Sequence, residues 1–151
     1  MKRNYIPIKL LLFILTFLVL GCANGQNMKI APGTFFTINN VNVITLNSNI
    51  QNDGSISGLN GTMVFAGSSD NTISGIGNSS FHNLYLNKAG GKLLLQKNIS
   101  ASGTVIFGNG MLDLGNQQFE LKFPDGKLLD EKESSRIISS GTGEIFITKN
   151  L

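Results

Sequence analysis

The chain has no tryptophan, one histidine, one cysteine, two tyrosines and three prolines in 151 residues, and charged side chains make up only 14% of it. Each shortage closes a route. A single histidine, His82, cannot build a histidine metal cluster, and a Ser-His-Asp triad resting on it would have no alternative base. A single cysteine, Cys22, forbids an internal disulfide framework. The formal charge of +3 dissolves once it is placed: Lys2, Arg3 and Lys9 lie in the first ten residues, and beyond residue 21 nine basic side chains face nine acidic ones. The basic patch that phosphate recognition needs is missing, so nucleic acid is excluded as a partner.

What is present begins with an address. Lys2-Arg3 followed by the apolar run Leu10 to Leu20 has the charged start and short hydrophobic centre of an export signal, too short beyond Lys9 to span a bilayer comfortably. Val19-Leu20-Gly21-Cys22 then resembles a bacterial lipobox, which makes Cys22 the expected lipid-attachment residue and 1–21 a lipoprotein-type signal peptide. The rival is ordinary cleavage after Ala23-Asn24-Gly25, with a leader of 1–25 and Gln26 first. Residues 22–32 read as a polar tether, and 33–151 as one domain, incomplete at its C-terminus because the chain stops at Leu151 inside a strand-like run.

The domain repeats itself. Ile56-Ser57-Gly58 leads to Phe65, Ile73-Ser74-Gly75 to Phe81, Ile99-Ser100 to Phe107 and Ile138-Ser139 to Phe146, with intervals of 17, 26 and 39 between successive isoleucines. Three of the four units also carry Gly-Thr, at Gly61-Thr62, Gly103-Thr104 and Gly141-Thr142. Between them run short segments rich in β-branched and aromatic residues, such as Val41 to Leu46 and Thr104 to Phe107, each closed by Gly, Asn, Asp or Ser. Asn and Gly at the breaks are expected to supply left-handed corners. The fold class is all-β, and two arrangements fit: an antiparallel β-sandwich or a parallel β-helix, a β-solenoid. Recurrence of the same residues favours the solenoid, in which Ile stacks on Ile and Phe on Phe; roughly 20 to 25 residues per coil predicts four to five coils. Phe65, Phe81 and Phe107 should point inward. Phe123 to Arg136 breaks the pattern and holds four of the nine acidic residues; a solvated surface loop is expected there.

Asn52-x-Gly54-x-Ile56, Gly61-Thr62-Met63-Val64-Phe65-x-Gly67, Phe81-His82-Asn83-Leu84-Tyr85-Leu86-Asn87 and Gly103-Thr104-Val105 through Leu114 resemble the N-terminal β-helical region of large secreted Bacteroidota proteins, many of them type IX secretion substrates. The resemblance covers about residues 50 to 121. Such proteins usually end in a C-terminal sorting domain, so it implies that the chain is truncated and that it is exported to the cell surface or beyond.

No residue set points to catalysis. Asp53, Asp70 and Asp113 sit beside turns, but the Gly-Gly-x-Gly-x-Asp repeat of a calcium ladder is absent, and turn chemistry accounts for them. Gly108-Asn109-Gly110 lacks the Lys-Ser/Thr ending of a phosphate loop. An ice-binding Thr-x-Thr array is missing too. The expected protein is therefore a non-catalytic exported β-solenoid with a structural, adhesive or surface-binding role, needing no cofactor or metal, an outer-membrane lipoprotein or a secreted protein. Its partners would be a glycan or a cell-surface protein, and the membrane itself through acylated Cys22. The alternative is a carbohydrate-active β-helix, a polysaccharide lyase or hydrolase, which would need clustered carboxylates with Arg or Lys; Arg136 is the one arginine beyond the leader.

Overall fold

The computed structural model describes residues 27–122 and 124–148. These form a parallel β-helix of about five turns, with no helix among the described residues. The chain runs round three faces. The first turn uses β1 (Met28–Ile30), β2 (Phe35–Ile38) and β3 (Asn42–Leu46), and the second β4 (Ile50–Asn52), β5 (Ser55–Gly58) and β6 (Thr62–Gly67). Then come β7 (Asn71–Ser74), β8 (Asn78–Phe81) and the long β9 (Asn83–Leu95), which bends round a corner and serves two faces; β10 (Ile99–Ala101) and the equally bent β11 (Thr104–Asp113) follow. The last rungs are β12 (Gln118–Lys122), β13 (Lys127–Leu129), β14 (Ile137–Ile138) and β15 (Glu144–Thr148).

All pairings between these strands are parallel, which removes the sandwich. One face is the sheet β2, β5, β8, β10, β12, β15; the other two are the halves of a bent sheet joined through β9 and β11. Alternate residues of each short strand enter the core, and stacking one coil upon another, about 4.8 Å apart, buries them. Val43, Met63, Leu84, Val105 and Leu128 make one interior column. Thr45, Phe65, Leu86 and Phe107 make a second beside it.

Phe65, Phe81 and Phe107 do point inward and are fully buried. The columns, however, are not those the repeat suggested. Phe65 and Phe107 share a face with Leu86 between them, whereas Phe81 lies on the next face, on the same column as Ala101 and Leu121. Ile56 and Ile99 belong to one face and Ile73 and Ile138 to another. The physical reason is that the faces are near-equivalent. Each offers a strand with apolar residues inward, so the short step from Ile to Phe carries the chain round one corner, and the shortest interval between isoleucines is two such steps rather than a coil. The coil itself is longer: Met63, Leu84 and Val105 are direct neighbours in register, and the steps between them exceed that interval.

Two further expectations change. The tether 22–32 contains β1, which pairs with β4 through Met28–Ile50 to Ile30–Asn52, so the described fold starts before Gly33; residues 22–26 lie outside the described residues. The expected loop Phe123 to Arg136 contains β13, whose pairing with β11 continues the Val105 column through Leu128. Beyond it Ser135 is buried and donates to Gly110 O at 2.9 Å, while Lys132 Nζ donates to Gly108 O at 3.0 Å. Charge is tolerated there because the charged side chains face outward, not because the segment leaves the stack.

Corners have their own chemistry. Of the non-glycine residues described, only Asn40, Asn47 and Asp130 take positive φ; most corner amides and carboxylates instead accept a backbone N–H from the next coil. Asn49 Oδ1 accepts from Thr72 N at 2.9 Å, Asp70 Oδ1 from Lys92 N at 2.8 Å and Asn83 Oδ1 from Thr104 N at 2.8 Å. They extend the hydrogen-bond ladder where the strands stop. Gly61 is required at one corner by space: a Cβ there would collide with Ile38 Cγ2 and come within 2.6 Å of Val41 O.

Candidate functional site

Sequence spacing aligns β8, β10 and β12 with no insertion, since Ile99 pairs with Phe119 and Phe81 with Ala101 at one and the same separation along the chain. Outward residues of this face therefore superpose. Asn78, Asn98 and Gln118 form one column, tied by the Asn98 Oδ1 that accepts from Gln118 N at 2.9 Å. Ser80, Ser100, Glu120 and Phe146 form the adjacent column. Ser100 Oγ donates to Ser80 Oγ at 3.1 Å, and Glu120 accepts from the Thr148 hydroxyl. Between and beside them runs an open trough of about 430 Å³, with the Phe146 ring, 43% exposed, at its end. Amides, hydroxyls and a carboxylate offer donors and acceptors in pairs, and the ring offers an apolar plate.

Ser100 and Phe146 entered the sequence reading only as members of the Ile-Ser to Phe repeat and the other residues of this face not at all, although a signal was present: amides at 78, 98 and 118 and hydroxyl or carboxylate groups at 80, 100 and 120 recur at one constant interval. Gly-Thr and Ile-Ser drew attention away from them because those pairs are tied to corners and buried strands.

The residues weighed for chemistry are dispersed. His82 is half-buried, its Nδ1 3.2 Å from Ser102 Oγ across one coil, away from any carboxylate bond. Asp53 accepts from Gln51 Nε2 at 2.8 Å and from Ile76 N at 3.3 Å, and Asp70 caps Lys92 N, so both serve turns. Asp113 is fully buried. Burial on its own would raise its carboxyl, but the Lys92 ammonium at 2.6 Å and the Gly115 and Ser140 amides outweigh that and hold it at about 2. Arg136 stands apart, exposed at the segment before β14. Among the described residues no three His, Cys, Asp or Glu side chains gather in a way that could hold a metal ion. Cys22, the expected lipid-attachment residue, and the expected leader lie outside the described residues.

Two lysines are interior. Lys97 Nζ donates to Gly77 O, and burial lowers its amine against the opposing charge of Asp53. Lys88 occupies the bend of β9 at 1% exposure, opposite Gly67 on one side. On the other is Gly110, where a Cβ would come within 2.8 Å of Lys88 Cβ. Its Nζ donates to Ser69 O at 2.7 Å and to Asn71 Oδ1 at 2.5 Å. Burial lowers this amine too, the Asp70 charge acting in the opposite sense. Compared with known proteins, the chain matches no family model, no curated protein and no solved structure.

Proposed function

We propose that the chain is an exported, non-catalytic β-solenoid of a bacterial cell envelope, akin to the N-terminal β-helical regions of large secreted Bacteroidota proteins, and that its β8–β10–β12–β15 face binds an extended glycan. The observation that carries this is the registered trough: an amide on each of three successive rungs, hydroxyls and Glu120 beside them, and an exposed phenyl ring at the end. Rungs about 4.8 Å apart present one set of polar groups on the order of each pyranose ring laid along the solenoid axis. Hydroxyl-rich ligands are recognised by such paired donors and acceptors, with an aromatic ring packing on the sugar's C–H face. Hydrolysis by the usual route would call for two carboxyl groups flanking the bond; Glu120 is the carboxylate lining this trough.

The test is a glycan array probed with the purified chain, followed by calorimetric titration with the best-retained hexasaccharide. Saturable binding that weakens at least about tenfold, about 1.4 kcal/mol, in Phe146→Ala and in Gln118→Ala is expected. Absence of binding across the array, or release of new reducing or unsaturated ends from the bound glycan, would overturn the reading.

A further inference from the structure

We propose that Lys88 and Asn71 are joined by an intramolecular isopeptide bond, formed when Lys88 Nζ attacks Asn71 Cγ and the carboxamide nitrogen leaves as ammonia. Three observations meet at this corner. Both side chains are buried, Lys88 at 1% and Asn71 at 3% exposure. The amine touches the carboxamide, with 2.5 Å from Nζ to Oδ1, at the short limit for an N–H···O contact. Lys88 has no carboxylate partner in an ion pair among the described residues; its other acceptor is the neutral Ser69 carbonyl.

A buried ammonium without a counter-ion is costly, so burial lowers the Lys88 amine and raises the share of its neutral form. The neutral amine carries the lone pair that a nucleophile needs. Packing between Gly67 and Gly110 and the bond to Ser69 O hold it against one carboxamide, the arrangement in which fixed proximity replaces a bimolecular encounter. The step balances without a co-reactant: the Nζ–Cγ bond forms, the Cγ–Nδ2 bond breaks, and one proton passes from Nζ to the departing nitrogen. Asp70, next to Asn71 in the chain, is the carboxylate whose charge reaches the amine. The product would fasten one coil to the next at a corner, where hydrogen bonds between strands lapse.

The experiment is peptide mapping of the full chain after denaturation and chymotryptic digestion, which cuts after Phe81 and Tyr85 between the two residues. The expected result is a branched peptide containing both the Asn71 and Lys88 segments, lighter by one ammonia than their sum and absent from Lys88→Met. Intact mass alone does not decide, because Asn60-Gly61 and Asn109-Gly110 can each lose ammonia by closing to a succinimide. Recovery of the two segments from the wild-type chain as separate linear peptides, with Lys88 and Asn71 unmodified, would overturn the proposal, and this readout does not depend on whether the variant folds.

Discussion

A buried carboxylate has to be compensated where it stands, and Asp113 is compensated from three sequence regions at once: Lys92 from the coil before, Gly115 from its own turn and Ser140 from the coil after. Its folded carboxyl lies at about 2, below the ordinary 3.8. The native state therefore binds fewer protons than the unfolded chain between these values, and the stability that Asp113 supplies is complete above about pH 4 and is lost as the pH falls towards about 2. Urea midpoints measured from neutral into acid should drop through that window, and Asp113→Asn should lose that component of the drop while being less stable at neutral pH. An unchanged pH dependence in the variant would show that other carboxylates carry the acid lability. Lys92 works in the opposite direction, its amine raised by Asp113, so its contribution fades only as alkaline pH passes its raised value.

At the scale of strands and corners, the parallel ladder continues between rungs through side chains. Asn83 stands where the β8 face gives way to the next, and its Oδ1 takes the Thr104 N–H of the following coil. Replacing it with Ala leaves that N–H without its partner in a partly buried corner, at a cost of about 1 to 3 kcal/mol. Chemical denaturation of Asn83→Ala should report that loss, with faster hydrogen exchange at Thr104, whereas Asn87→Ala, at an exposed outward position of β9, should change stability little. Equal effects from both would mean that these amides act through solubility or propensity and not through the corner bond. The same logic explains Asn52, which is wholly buried and yet satisfied, donating to Asn78 O and Ser79 Oγ and accepting from Gly54 N.

For the molecule as a whole, the remaining question is where the solenoid is held. The proposal of an envelope protein predicts that Cys22→Ser moves it from the membrane fraction to the soluble one, because acyl chains on that cysteine supply an anchor that the short leader segment cannot. Fractionation of the exporting cell, with intact mass of the mature N-terminus, checks this. A chain that starts at Gln26 without lipid would show ordinary signal cleavage. The glycan-binding reading does not depend on that outcome, since the trough is built entirely from β8 to β15.

Short apolar runs punctuated by Gly, Asn and Ser determined an all-β solenoid and its inward phenylalanines, because strand length, alternation and recurrence are local properties that survive in one dimension. Which residues stack on which was decided only in three dimensions. Coils are not of constant length: the step from Ile99 to Phe119 is shorter than the step from Phe119 to Ile145, which takes in β13, the Ser135 turn and β14 on the way round. Since three similar faces share one pattern, a repeat of Ile and Phe marks corners passed and leaves the register undefined. The groups of greatest chemical interest depend on that register. Lys88 meets Asn71, Lys92 meets Asp113, and Glu120 comes to lie on one column with Ser100 and Phe146. Residues most of a coil or a full coil apart become neighbours only when intervening turns have closed, and burial, which decides whether a lysine is a surface charge or an interior amine, is a consequence of that closure.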